Sequence, residues 1–106
     1  MFENLGQMMN LAKRAGEIQK NIKAFREEMA RNEYSAASGG DAVRVVVSGD
    51  FRVCGISFGA NAPFDDPAKL AELTVQAANN ALLCAKNAAA EGMKEAAGGI
   101  DLNGLL

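Results

Sequence analysis

The 106-residue sequence contains no histidine and no tryptophan, a single tyrosine, two prolines and two cysteines. Without imidazole, most general acid–base catalysis and most nitrogen-ligated metal chemistry are excluded. Ser48, Ser57 and Thr74 have no base to activate them, so nucleophilic catalysis has no support and no catalytic residue is assigned. The two cysteines, Cys54 and Cys84, stand 30 positions apart and form no CxxC. They read as buried thiols rather than a disulfide or a metal pair. Adjacent Asp65 and Asp66 lack further ligands, so helix capping explains them and no metal site is assigned. No GxxxxGK[ST] loop occurs, and no cofactor is implied. Met1-Phe2-Glu3-Asn4 lacks the basic and apolar regions of a secretory signal, and no run approaches the roughly 20 apolar residues of a membrane span. The expected address is the cytoplasm.

What is present suits one small α+β domain. Apolar residues make up 49% of the chain but aromatics only 6%, so the core is thin and oligomerisation is expected. Ala42 to Phe58 is the organising stretch: two β-branched and aromatic runs flank Ser48-Gly49-Asp50, which reads as a hairpin turn with Gly49 supplying a positive φ. Val43, Val45 and Val47 point to one side and Arg44, Val46 and Ser48 to the other. With the weaker run Glu33 to Ser38 and the turn at Gly39-Gly40, a three-stranded antiparallel meander is expected over about 33–38, 42–48 and 51–58. Its last strand carries a single charge, Arg52, among Phe51, Val53, Cys54, Ile56 and Phe58. Such an unguarded apolar edge invites pairing with a second copy.

Long helices flank the meander. Met8, Leu11, Ala15, Ile18, Ile22, Phe25 and Met29 recur at spacings of 3 and 4, a heptad seam that predicts a helix over about 4–32. Such a helix is roughly 43 Å long. Strands of about 20 Å cannot cover it, so part must project or meet a partner. Asp66 and Pro67 make a helix start, and the second helix is expected to end at Gly98-Gly99. Its large apolar residues, Leu70, Leu73, Val75, Leu82 and Leu83, lie in its first half, and 11 of residues 67–97 are alanine. Residues 99–106 read as a flexible tail whose Ile100, Leu102, Leu105 and Leu106 are free to dock.

The order helix, meander, helix carries Gln7-Met8-Met9 near its start and Ser38-Gly39-Gly40 before Val-Arg-Val-Val-Val. Asp65-Asp66-Pro67 then leads to Leu73-Thr74-Val75-Gln76-Ala77-Ala78-Asn79-Asn80-Ala81-Leu82. In this combination it resembles the YbaB/EbfC family of nucleoid-associated proteins over nearly its whole length, with residues 1–98 as the domain. The resemblance implies a small bacterial cytoplasmic protein of the nucleoid that is not an enzyme. It implies a homodimer with sheets at its centre and helices projecting like the arms of tweezers, binding double-stranded DNA with little sequence preference. The second helix, with only Lys69, Lys86 and Lys94, and the tail, with Asp101 and Leu105-Leu106, are less basic than is usual in that family.

The charge distribution offers residues for that task. The chain has a net charge of −2, yet Lys13 to Arg26 holds five bases against one acid, a local +4, while residues 61–106 sum to −3. Lys13, Arg14, Lys20, Lys23 and Arg26 are therefore the candidate DNA-binding residues. They span about 20 Å of helix, and a duplex presents a phosphate charge roughly every 1.7 Å. No interleaved aromatic or recognition-helix pattern accompanies them, so backbone contact rather than base reading is expected. The bland alternative is a solvated face with the helix pairs Lys13–Glu17, Glu17–Lys20 and Lys23–Glu27. A competing function is a protein interaction module, with a recombination or repair protein as partner and no direct DNA contact.

Overall fold

The structure, a computed structural model, describes residues 2–98. Its order is α1 (Phe2–Arg31), β1 (Glu33–Ser38), β2 (Val43–Ser48), β3 (Val53–Phe58) and α2 (Pro67–Ala96). The strands form one antiparallel sheet in the order β1-β2-β3. The expected α-β-β-β-α architecture is therefore present, with β1 at the expected residues and β2 and β3 slightly shorter. The expected tail, 99–106, lies outside the described residues.

Alternation in β2 sets the layers. Val43, Val45 and Val47 are fully buried, each contributing about 1.5–3 kcal/mol of transfer free energy. They face α2, which lies over β1 and β2 and buries Leu73, Ala77, Ala81 and Ala85. These alanines let the helix approach the valines closely, so the small-residue face of α2 is its core face. Leu70 and Leu82 pack at the margin, while Val75 and Leu83 remain exposed. Asp66 caps α2 by accepting from the Lys69 amide at 3.2 Å, with Pro67 behind it. The helix closes through Ala97 onto Gly98, whose φ is 72°.

The two turns differ in how they reverse the chain. Between β1 and β2 the Ala42 amide donates to Gly39 O at 3.3 Å, and Gly39, Gly40 and Asp41 all have positive φ, a left-handed run suited to two glycines and an aspartate. Between β2 and β3 the expectation for Gly49 is corrected. Its φ is not positive; the left-handed residue is Phe51, with φ of 68°. Gly49 is needed for space instead, because a Cβ there would lie 2.2 Å from the Met29 carbonyl oxygen. The Gly49 amide donates to Asn32 O at 2.9 Å, fastening the hairpin to the end of α1. A bulge at Val46/Val47 then leaves Cys54 as the extra residue of β3.

Helix α1 is attached only by its C-terminal half. Met29 is buried, Ile18, Ile22 and Phe25 are half-buried, and residues 4–17 are exposed on every side. The Phe25 ring sits where a side chain at residue 92 would otherwise be, which accounts for Gly92 in α2. Among the described residues nothing lies within 4 Å of where a Cβ on Gly16 would be. The expected seam is thus used from Ile18 onward and left open before it. The consequence is an elongated molecule, 76 × 23 × 16 Å, with a radius of gyration of 20.3 Å, where a compact chain of this length has about 13 Å.

Candidate nucleic-acid interface

The free half of α1 and the adjoining turns carry all five bases singled out in the sequence. Lys13, Arg14, Lys20, Lys23 and Arg26 are all exposed. At 100° per residue, Lys13 and Lys20 fall within roughly 20° of each other on the ridge opposite the apolar seam. Lys23 lies roughly 60° round from Lys20 and Arg26 roughly 120°, on one flank of the seam. Arg14 falls on the other, where it lines a cleft of about 520 Å³ between the two helices together with Leu11, Ile18, Glu17 and Glu95. The helix therefore groups four of the bases on one half of its surface and sets Arg14 apart.

A sixth base belongs with this group and was not singled out. Arg31 is exposed in the last turn of α1. Eleven residues are close to three whole turns, so it returns to the Lys13–Lys20 ridge within roughly 20°. The 7- and 11-residue spacings were the available signal. They are obscured by the intervening Glu27 and Glu28.

The helix pairs of the bland alternative, Lys13–Glu17, Glu17–Lys20 and Lys23–Glu27, are not among the ion pairs formed. Among the described residues the ion pairs are Arg44–Asp41 at 3.1 Å, Arg52–Asp50 at 3.2 Å and Lys69–Glu72 at 3.6 Å, and none lies on α1. Glu28, Glu91 and Glu95 instead line a second cleft beneath Phe25. Glu17, Glu28, Glu91 and Glu95 thus line the clefts between the helices, while Lys13, Lys20 and Arg31 lie on the opposite ridge, which they share with the exposed Glu27. This separation gives a net-acidic chain one cationic ridge.

The sheet has its own unfinished surface. The register places Phe58 opposite Val43, Ile56 opposite Val45 and Val53 opposite Val47, so all three lie on the α2 side of the sheet. Helix α2 stops short of them, and they remain 46–55% exposed. Phe64 meets Phe58 edge to face, with centroids 5.9 Å apart, and is exposed as well. Among the described residues no strand pairs with the outer backbone edge of β3. Cys54 shares this exposure, and Cys84 is exposed on α2, which corrects the expectation of buried thiols. The cause is local: α2 covers two strands of three. Among the described residues no group of three His, Cys, Asp or Glu side chains gathers to hold a metal.

The geometry defines a small α+β protein of the α-β-β-β-α type with a projecting cationic helix and an open sheet edge. The chain belongs to the YbaB/EbfC DNA-binding family, whose sequence model matches residues 4–100. It is 34% identical over 105 residues to a nucleoid-associated protein of Clostridium kluyveri, covering 98% of this chain and 92% of that one. A nucleoid-associated protein of Acinetobacter baumannii is 31% identical over 100 residues, 93% of this chain and 92% of its own. The fold is also that of an uncharacterised protein from Helicobacter pylori, with a TM-score of 0.59 at 16% identity over 82% of this chain and 86% of the other.

Proposed function

We propose that this protein is a homodimeric nucleoid-associated protein that grips the DNA backbone with little sequence preference and resides with the chromosome in the cytoplasm. Lys13, Arg14, Lys20, Lys23 and Arg26 supply the phosphate contacts, and no cofactor takes part. The observation that carries this reading is the projection of α1 with exposed bases that no carboxylate on the helix pairs. Its family membership points to the same ligand. The dimer forms through β3, where a second copy covers Val53, Ile56 and Phe58 and continues the sheet across the free edge. A twofold there doubles the cationic ridges presented to a duplex.

Phosphate contacts release condensed counterions, so log K falls with log salt at a slope near −0.9 per phosphate neutralised. With about 4–8 phosphates engaged per dimer, affinity for nonspecific duplex DNA should fall roughly 10²- to 10⁴-fold between 50 and 200 mM salt. Charge reversal at Lys20 and Lys23 should flatten the slope and leave the circular dichroism spectrum unchanged. A second reading draws on the exposed Leu5, Met8, Met9 and Leu11 of the same arm, an apolar surface suited to another protein, such as a recombination or repair factor. No DNA binding at low salt would favour that module and refute the first reading.

A further inference from the structure

The β2–β3 hairpin holds a conformation that its residues disfavour. Phe51 N donates to Ser48 O at 2.9 Å and Ser48 N donates to Arg52 O at 2.8 Å. Gly49 and Asp50 are thus the centre of the turn, and Phe51 is the residue that closes it. A hairpin closed in this way needs a left-handed residue after the turn, a place that glycine ordinarily takes because a Cβ is crowded there. Here the residue is an aromatic with φ of 68°, a choice that works against the local equilibrium by roughly tenfold. Strain of this kind persists where something else requires the side chain. A single copy makes little use of it, since Phe51 is 53% exposed.

We infer that Phe51 is an anchor for a second copy of this chain, its left-handed backbone being kept because it presents the ring to the partner. The inference rests on the dimer reading above and adds a residue to it. Phe51 is continuous along the chain with Val53, Ile56 and Phe58, the uncovered residues of the sheet. The free edge of β3 suits an identical strand, because antiparallel pairing about a twofold satisfies the same backbone groups on both sides. Charge argues against DNA as the occupant. Between Phe51 and Phe58 the only charged side chain is Arg52, and Asp50 already pairs with it at 3.2 Å.

The test compares the wild type with Phe51→Gly and Phe51→Tyr by sedimentation equilibrium and by amide exchange at Ser48, the exchange being measured well above the dissociation constants. Glycine relieves the turn, so the Ser48 amide in F51G should exchange no faster than in the wild type. The dimer dissociation constant of F51G should nevertheless rise at least tenfold, and F51Y should restore it to within about threefold of the wild type. An unchanged dissociation constant in F51G, or faster exchange at Ser48, overturns the inference. So does a loss of DNA affinity with dimerisation intact, which would assign the ring to the nucleic acid. A wild type that sediments as a monomer at micromolar concentration removes the dimer reading itself, whereas a dimeric wild type with an unaffected F51G removes only the role of Phe51.

Discussion

Gly49→Ala should destabilise the protein by about 1–2 kcal/mol. A Cβ at this position meets Met29 O at 2.2 Å, Met29 C at 2.8 Å and the Met29 methyl at 2.9 Å. The first two are backbone atoms in the last turn of α1 and cannot rotate aside as a side-chain end can. Either the hairpin tip or the helix end must shift, which strains the 2.9 Å bond from the Gly49 amide to Asn32 O. Overpacking of this type costs about 1–3 kcal/mol. Against it, alanine restricts the unfolded chain and contributes about 0.4–1 kcal/mol where the native φ suits it. Close approach wins, and Tm should fall by about 5–15 °C for a domain of this size. The assay is thermal and urea unfolding at one fixed protein concentration, with m expected to hold steady. Gly49→Asn sharpens the result: asparagine tolerates a left-handed backbone, so it would be accepted if φ were the reason for glycine, yet it should be at least as damaging as alanine if space is. Wild-type stability in G49A would refute the packing argument.

Two further predictions concern the same hairpin and the strand beyond it. The Ser48 hydroxyl donates to the Asp50 carboxylate and, with Arg52 beside it, holds the Asp50 carboxyl below the usual carboxylate range. A depressed folded pKa means that the contribution of Asp50 is present above the unfolded value and is lost as pH falls through the folded one. The stability difference between wild type and Asp50→Asn should therefore be largest above about pH 4–5 and shrink below pH 4, as read from urea midpoints across that range. Both thiols are exposed in a single copy. A dimer through β3 should make Cys54 react with a water-soluble alkylating reagent more slowly than Cys84, with the difference vanishing on dilution below the dissociation constant. Equal rates at all concentrations would place the interface elsewhere.

Much of this fold was legible because short-range chemistry dictates it. Asp66 and Pro67 start α2 as a capping side chain and a ring without an amide proton must. The β-branched run at 43–47 makes a strand, and its alternation identifies the buried face. The poverty of charge along β3 announced an edge that remains exposed. The seam of α1 was also legible as a face, but periodicity does not say how far a partner reaches along it. Burial begins at Ile18 only because α2 ends beside that point. The cysteines were misread for a related reason. A thiol is usually buried, yet Cys54 lies on the strand that α2 fails to cover. Among the bases, the spacing located the cluster and its ridge, whereas whether Lys13, Lys20 and Lys23 pair with Glu17 and Glu27 depends on side-chain geometry that spacing alone does not fix.

The sequence by itself determined the elements, their order and the local excess of positive charge, because propensity, capping and periodicity act over a few residues. The tertiary structure decided which surfaces stay open. Placing α2 over β1 and β2 leaves Val53, Ile56 and Phe58 uncovered, and docking only the later turns of α1 leaves its first turns in solvent. It also put the left-handed residue of the β2–β3 turn at Phe51 rather than Gly49, and made Gly49 necessary for the close approach of the end of α1. These outcomes depend on distances between segments far apart in the chain, which no local pattern of residues encodes.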